Sequence, residues 1–277
     1  GLLGAALESA DAAVAAKPTW PKAHYRRGVA LSAIELWPEA SRAFERALAA
    51  EPGNKQLQSA AARAREKCGA LPRAGGAYAL TWGRGEFGAL GHGDVRDRAL
   101  PRPLEAVRGM VPADGACGTG HTLLLTDDGD VLAWGWNTKG QCGVPPCDAV
   151  PTPTLIGPLL GAGVRGVACG AAHSLAVTAR GGVLSWGLGG SGQLGHGDLG
   201  SSEVPRPIAG LASEAVQGIA CGFGHTVALT TAGALFSWGW NRDGQLGLGD
   251  TENRPSPCRL GGVPACRYVA CGGAHSA

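Results

Sequence analysis

The sequence predicts a multidomain α + β protein, in which a short α-helical array is followed by part of an all-β propeller. Two observations support this prediction. Only five of the 47 glycines precede Leu71, where alanine-rich helical sequence changes to glycine-rich sequence. Beyond that point, one pattern of cysteine, histidine, tryptophan and glycine recurs every 52 residues. Proline and glycines in CGALPRAGG cannot continue a helix, so we expect a helical region at 1–70, a linker at 71–75 and the propeller at 76–277.

The helical region contains one 34-residue unit, from Pro21 to Asn54. Its small and aromatic positions resemble those of a tetratricopeptide repeat, a helix-turn-helix unit. The resemblance implies that residues 1–18 form the second helix of a preceding repeat and that KQLQSAAARAREK is a capping helix. The matching positions are Gly28, Ala40, Phe44, Ala47 and Pro52.

Lys22 and Arg26 are four residues apart and share one helix face. The resemblance implies a role for them, because tetratricopeptide domains that hold the acidic C-terminal tails of heat-shock chaperones place Lys and Arg at these positions. Arg26 would bind a carboxylate through its planar guanidinium, and Lys22 as a point charge. The alternative is an ordinary solvated basic face.

The glycine-rich part contains an internal repeat. Three stretches align without a gap, CGTGHTLLLTDDGDVLAWGWNTKGQCG from Cys117, CGAAHSLAVTARGGVLSWGLGGSGQLG from Cys169 and CGFGHTVALTTAGALFSWGWNRDGQLG from Cys221. Trp82 continues the series backwards and Cys271 continues it forwards, so we expect about four units. Each unit has two short apolar runs that flank a turn at a glycine, which is typical of a β-hairpin.

A β unit of this size cannot bury its own faces and must stack on its neighbours, and radial stacking gives a propeller. Cys-Gly-x-x-His-Thr/Ser, combined with Ser-Trp-Gly and Gly-Gln-Leu-Gly-x-Gly-Asp, resembles the repeat of the regulator of chromosome condensation family over residues 76–277. The resemblance implies a seven-bladed propeller. We therefore expect an open arc, incomplete at the C-terminus, with an exposed apolar blade edge. The alternative is a closed four-bladed ring, in which residues 77–83 pair beside residues 267–271.

The recurring cysteine and histidine could be a metal pair, but each pair has no second Cys or His close in sequence. We interpret the cysteines as buried thiols, the histidines as hydrogen-bonding groups between strands, and the tryptophans as packing residues. We expect no metal, no cofactor and no disulfide framework, which favours a reducing compartment, cytoplasmic and/or nuclear. The close pair outside the repeat is Cys142 and Cys147. The repeat residues are Cys117, His121, Trp134, Cys169, His173, Trp186, Cys221, His225, Trp238, Cys271 and His275.

Two further motifs lie in the loops of the repeat. Gly187, Gly189 and Gly192 form G-x-G-x-x-G, but a dinucleotide site needs a helix after such a motif, and the neighbouring units lack the pattern. Two units carry an extra Trp-Asn pair that would anchor a partner if its loop is exposed. The alternative is that these tryptophans pack against the next blade. The residues are Trp136, Asn137, Trp240 and Asn241.

Composition and motifs restrict the function. Residues 71–277 hold 14 Lys and Arg against 15 Asp and Glu, and this balance argues against nucleic acid as a partner. No apolar run reaches the roughly 18 residues of a membrane helix. No unrepeated catalytic set is present, so we expect a non-enzymatic adaptor that binds proteins. The family resemblance implies two alternatives, guanine-nucleotide exchange on a small GTPase and a chromatin-associated regulator.

Overall fold

The computed structural model describes residues 2–34, 36–70 and 79–277, so the linker expected at 71–75 lies outside the described residues. Consecutive helices pack against each other in the N-terminal part. None of the helices in these ranges is long and apolar enough to cross a bilayer. The helices are α1 (Leu2–Ala16), α2 (Pro21–Ala33), α3 (Trp37–Ala50) and α4 (Lys55–Ala70).

Local sequence signals start two of these helices. Pro21 occupies the first turn of α2, where its missing N–H and fixed φ are tolerated. Asn54 caps α4, because its Oδ1 accepts hydrogen bonds from the backbone N–H groups of Gln56 (3.0 Å) and Leu57 (3.2 Å). Small and aromatic side chains fill the space between the helices, which therefore have a core of their own. That core includes Leu31, Ala40, Ala43, Phe44, Ala61 and Ala64.

The rest of the described chain is β-sheet. A two-stranded sheet, which we call the half-blade, contains β1 (Leu80–Gly83) and β2 (Arg98–Pro103). Three four-stranded antiparallel sheets follow it. Blade 1 is β3 (Pro112–Cys117), β4 (His121–Thr126), β5 (Val131–Asn137) and β6 (Cys147–Leu155). Blade 2 is β7 (Val164–Cys169), β8 (His173–Thr178), β9 (Val183–Gly187) and β10 (Ser202–Pro207). Blade 3 is β11 (Val216–Cys221), β12 (His225–Thr230), β13 (Leu235–Gly239) and β14 (Arg254–Arg259).

The predicted hairpins are the two central strands of each blade. His121 pairs opposite Gly135 in blade 1, His173 opposite Gly187 in blade 2, and His225 opposite Gly239 in blade 3. Strands β3, β7 and β11 contact one another across the blades and form the inner side of the arc. Apolar side chains of neighbouring blades meet between the sheets. The core between blades 1 and 2 includes Leu123, Leu125, Val131, Ala133, Ile156, Val164 and Trp186.

The described strands form an open arc and not a closed ring. Strand β1 pairs only with β2, and Cys271 makes an isolated bridge to Ser276 near the other end. The arc contains three complete blades and a half-blade, which agrees with the expected number of about four units. Each sequence unit begins on one blade and ends on the first strand of the next. Trp82 in β1 is 58% exposed, whereas the equivalent Trp134 of blade 1 is 1% exposed. The half-blade therefore presents the apolar edge that an open arc was expected to expose.

Helix α3 connects the helical part to the propeller through charged and apolar contacts. Arg46 Nε donates to a carboxylate oxygen of Asp130 at 2.6 Å, and Arg42 lies 2.8 Å from the carboxylate of Asp128. Ala49 packs against the apolar cluster between the half-blade and blade 1. The acidic turn is DDGD in blade 1, whereas the corresponding turns of blades 2 and 3 read ARGG and TAGA. Only blade 1 therefore offers this charge to the helices.

Arg46→Ala should lower the free energy of unfolding by about 3 kcal/mol, because it leaves the carboxylate of Asp130 buried without its partner. Burial already raises the pKa of Asp130, which shows that its environment disfavours the charge. Urea denaturation measures the change. Arg254→Ala is the control, because Arg254 pairs with Asp250 near the surface and should contribute less than about 1 kcal/mol. Equal losses in both variants would contradict the assignment of Arg46.

Candidate functional site

Lys22 and Arg26 are both exposed on α2, one helical turn apart, as their spacing predicts. Neither has a carboxylate within ion-pair distance in the described part of the chain. The next residue differs, because Arg27 Nε donates to Asp11 of α1 at 2.6 Å. Two cations on this face of α2 therefore keep their charge available for a ligand.

A groove of about 540 Å³ lies between α2 and α4, with Trp37 and Phe44 of α3 in its wall. Its apolar lining is interrupted by polar side chains, among them Arg63. Tyr25 and Val29 of α2 line it, and they alternate with Lys22 and Arg26 on the same side of the helix. Gln56 of α4 spans the groove, since its Nε2 donates to the Tyr25 hydroxyl at 2.9 Å. The sequence analysis missed this groove, although apolar side chains beside the two cations were a signal for it.

The asparagines of the two Trp-Asn pairs are not available to a partner. Asn137 Nδ2 donates to the carbonyl oxygen of Pro145 at 2.9 Å, and Asn241 Nδ2 donates to the carbonyl oxygens of Asp250 and Glu252, both at 3.0 Å. Both asparagines are fully buried. This corrects the expectation for Asn137 and Asn241, because a side chain that closes its own loop cannot also bind another protein.

The tryptophans of these pairs are half-buried. Trp136 stacks on Phe87 of the half-blade, with ring centroids 5.8 Å apart and an interplanar angle of 30°. Trp240 packs beside Gly224, which follows the exposed Phe223 in sequence. Trp136 therefore packs between blades, although its neighbour is the preceding half-blade and not the next blade of the alternative. A partner-binding role for the exposed parts of Trp136 and Trp240 stays a prediction.

The repeat histidines link neighbouring blades. His121 Nε2 lies 2.9 Å from Ser174 Oγ in the next blade, and Ser174 Oγ donates its single proton to the carbonyl oxygen of Gln141 at 2.7 Å. The histidine must therefore donate its Nε2–H to the serine. Trp186 Nε1 donates to the same carbonyl oxygen at 2.9 Å. Histidine, serine, glutamine and tryptophan thus form one network across the junction.

The same network recurs at the next junction, between blades 2 and 3. His173 Nε2 lies 3.1 Å from Thr226 Oγ1, and Trp238 Nε1 donates to the carbonyl oxygen of Gln193 at 2.9 Å. A side chain at Gly170 would overlap the ring of His173, which explains the glycine in Cys-Gly-x-x-His. Burial lowers the pKa of His173 to about 3, so this histidine is neutral.

The repeat cysteines line the inner surface of the arc. A cavity of about 270 Å³ there is lined by Cys117, Cys169, Cys221 and Cys271 with their neighbouring residues. Cys117 is exposed, so the expectation of a buried thiol is wrong for this residue, and the other three cysteines are partly exposed. Each of these cysteines lies at the inner surface of the arc, where no further strand covers the innermost strand of the blade. Burial of the sulfur atoms still raises the pKa values of Cys169 and Cys221, which keeps them as thiols.

The remaining chemical motifs have structural roles. Burial raises the pKa of Cys142 to about 12, and its Sγ contacts the carbonyl oxygen of Trp136 at 3.5 Å. Gly187 ends strand β9, and a loop rather than a helix follows, so the G-x-G-x-x-G motif has no helix N-terminus for a phosphate. Residues 2–34, 36–70 and 79–277 contain no group of three or more His, Cys, Asp or Glu side chains placed to hold a metal ion.

The blades and their shared junction network define a repeat β-propeller. A family profile described as the RCC1-like domain matches residues 51–277, and the chain belongs to this family. The Ultraviolet-B receptor UVR8 of Arabidopsis thaliana is 41% identical over 204 residues, which are 73% of this chain and 46% of that protein. The human E3 ubiquitin-protein ligase HERC2 is 39% identical over 228 residues, which are 81% of this chain and 5% of that protein.

Solved structures agree with the family. Human WBSCR16 superposes with a TM-score of 0.63 and 31% identity, over 70% of this chain and 50% of that one. Yeast RCC1 (Prp20), in its complex with Kap60, gives a TM-score of 0.64 and 26% identity, over 72% and 49%. The chain thus spans about half the length of these structures and of UVR8.

His173→Ala should lower the free energy of unfolding by about 3 kcal/mol, because it removes a buried ring and leaves Thr226 without its donor. Urea denaturation measures this loss. His275→Ala is a matched control, since His275 holds the same repeat position at the exposed edge of the arc and should change stability by less than about 0.5 kcal/mol. A similar loss of unfolding free energy in both variants would show that the contacts at the blade junction do not cause the loss in His173→Ala.

Stability should also fall as the pH falls below about 6.5, the pKa of histidine in the unfolded chain. Burial lowers the folded-state pKa of His121 to about 4 and that of His173 to about 3, so the unfolded state binds these protons first. Each histidine should remove about 2 kcal/mol between pH 6.5 and pH 5. Urea midpoints across this range measure the slope, and a flat profile would contradict neutral buried histidines.

Proposed function

We propose that this protein is a non-enzymatic adaptor, in which the helical part binds an acidic peptide and the propeller loops bind another protein. The observation that supports the proposal is the pair of cations, Lys22 and Arg26, beside the groove between α2 and α4. Cations and groove together suit a peptide that carries both carboxylates and an apolar side chain.

The proposal treats the helices as tetratricopeptide repeats. In this assignment α2 and α3 form one complete repeat, α1 is the second helix of a preceding repeat, and α4 is the cap. The contact of Gly28 with the ring of Phe44 supports it, because a side chain at Gly28 would overlap that ring. The domains are then 1–70 for the helical array and 76–277 for the propeller.

A peptide with a free C-terminal carboxylate is the proposed ligand of the helical part. The guanidinium of Arg26 can hold a carboxylate through two parallel hydrogen bonds, and the ammonium of Lys22 adds a second cation one turn away. The acidic tail of a heat-shock chaperone has this chemistry, and the tetratricopeptide resemblance points to it. The surrounding groove would accept an apolar side chain of the same peptide.

The propeller part of the proposal concerns its loops. Phe223 is 60% exposed. The half-buried Trp240 packs against Gly224, the residue that follows Phe223 in sequence. Exposed aromatic side chains are frequent anchors in protein interfaces. We propose this aromatic loop surface as the contact for a second protein partner, in the cytoplasm or the nucleus.

Guanine-nucleotide exchange on a small GTPase is the second candidate. The likeness to yeast RCC1, with 26% identity and a TM-score of 0.64, favours it. No residue of this chain can be assigned to exchange, and a shared fold does not carry a function. The chain covers 46% of UVR8 and 5% of HERC2, so their named activities are not proposed for it. The balanced charge of residues 71–277 also places a chromatin role third.

Titration of the chain with a peptide that ends in an acidic motif tests the helical site. The free-acid form should bind about 10-fold or more tightly than the C-terminally amidated form, because a hydrogen bond between charged groups stabilises by about 1.5 to 3 kcal/mol. Arg26→Ala should remove this preference. Fluorescence anisotropy of a labelled peptide provides the measurement.

Lys67→Ala is the matched control for this titration. Lys67 is exposed on α4 and does not line the groove, so its loss removes one positive charge from the same helical part without changing the site. It should leave the affinity nearly unchanged. Equal binding of acid and amide forms, or wild-type affinity in Arg26→Ala, would reduce Lys22 and Arg26 to solvated surface charges.

A further inference from the structure

A second charged pocket lies between the half-blade and blade 1. It has a volume of about 520 Å³ and lies far in sequence from the helical groove. The loop between β1 and β2 and strand β2 supply most of its walls, and Thr152 of blade 1 completes them. Its charged and titratable residues are His92, Asp94, Arg96, Arg98, Arg102 and Glu105.

The pocket holds more arginines than carboxylates can neutralise. Arg98 Nη2 donates to both carboxylate oxygens of Asp94, at 3.1 and 2.8 Å, and Arg98 Nη1 donates to the carbonyl oxygen of Arg96 at 3.0 Å. Glu105 pairs with Arg108 at 3.1 Å, outside the pocket. Arg96 and Arg102 have no ion-pair partner in the described ranges, and both are exposed. Two positive charges therefore remain in this pocket.

Comparison with the other blades shows that this surplus is specific to the half-blade. In blade 2 the equivalents of Asp94, Arg98 and Arg102 are Asp198, Ser202 and Arg206, so one carboxylate faces one arginine at 3.8 Å. In blade 3 they are Asp250, Arg254 and Cys258, again one carboxylate and one arginine. Arg96 corresponds to Gly200 and Glu252. Blade 1 has no arginine at the places of Arg96, Arg98 and Arg102, which hold Asp148, Val150 and Thr154 there. Repeat packing therefore does not require these arginines, of which the half-blade carries three.

Two features of the pocket point to a bound anion. The exposed guanidinium groups of Arg96 and Arg102 line the pocket, and neither has an ion-pair partner in the part of the chain that the structure describes. The charges of Arg98 and Arg102 also help burial to lower the pKa of His92, which reflects a positive field in the pocket. An acceptor with several oxygens would accept hydrogen bonds from these guanidinium groups and would match the positive field.

The pocket is also held in place before any ligand arrives. Gly93 N donates to the carbonyl oxygen of Pro151 in blade 1 at 2.9 Å, and Arg96 N donates to Asp94 Oδ1 at 3.0 Å. Thr81 Oγ1 donates to the carbonyl oxygen of Leu90 at 2.7 Å and accepts from His92. The loop that carries the arginines is therefore fixed to both sheets.

We propose that this pocket binds a phosphate group through Arg96, Arg98 and Arg102. A phosphate dianion matches the two uncompensated charges, and its oxygens accept paired hydrogen bonds from the planar guanidinium groups. The same chemistry is offered by free inorganic phosphate and by a phosphorylated serine side chain.

Titration of the 277-residue chain at constant ionic strength tests the proposal. Inorganic phosphate and O-phosphoserine are added separately, with sodium chloride as the reference, and amide chemical shifts report the site. Saturable shifts in the half-blade are expected with at least one of the two probes. Saturation by inorganic phosphate identifies free phosphate as sufficient, and saturation by phosphoserine alone identifies a modified side chain as the source.

Variants separate a built site from general charge attraction. Arg102→Ala and Arg96→Ala should each weaken phosphate binding by about 10-fold, since each removes a charged hydrogen bond. Arg206→Ala is the matched control, because it removes the equivalent arginine of blade 2, and it should leave the affinity unchanged. Circular dichroism checks that each variant is folded, and Arg102→Lys tests the guanidinium with the charge retained. Shifts that equal those with chloride, or equal losses in Arg102→Ala and Arg206→Ala, would overturn the proposal.

Discussion

One backbone carbonyl at each blade junction determines much of the propeller sequence. The carbonyl oxygen of Gln141 accepts hydrogen bonds from the indole of Trp186 and the hydroxyl of Ser174, and His121 donates to that hydroxyl. These groups are buried, so each donor must find its acceptor or destabilise the fold. The junctions between blades use the same geometry, so tryptophan and histidine recur at one interval. Glutamine recurs for another reason, since its Oε1 accepts a hydrogen bond from the backbone N–H two residues earlier in each blade. These hydrogen bonds therefore explain why the same residue types recur in each unit of the sequence.

This constraint also separates structural residues from functional ones. Buried histidines with lowered pKa values and thiols with raised pKa values are committed to the junctions, although they look reactive in sequence. We therefore expect binding residues at positions where one unit carries a residue that the other units lack. The acidic turn of blade 1, the arginines of the half-blade and the aromatic loop surface at Trp240 occupy such positions. The acidic turn, Arg96 and the aromatic surface lie on turns or loops, whereas Arg98 and Arg102 lie in strand β2. The hydrogen bonds of the junction network involve none of these residues.

The sequence predicted the hairpins and the junction residues because their signals are local and repeated. It did not predict the exposure of Cys117, since burial of an innermost strand depends on what the whole arc leaves open. It also missed the role of Asn137, whose amide closes a loop by reaching a carbonyl eight residues away. The pairing of Arg46 with Asp130 joins residues 84 positions apart, and no local pattern encodes such a contact.

That long-range contact has a consequence for any adaptor role. Helix α3 faces the propeller through Arg42, Arg46 and Ala49, whereas the groove between α2 and α4 is lined by helical residues alone. Docking on blade 1 therefore leaves the groove open. The ion pairs and the apolar contact hold α3 against blade 1. The groove of the helical part and the aromatic loop surface of the propeller would then be held at a fixed separation. Partners bound to both surfaces would have a fixed relative orientation, because the acidic turn of blade 1 holds α3 in place.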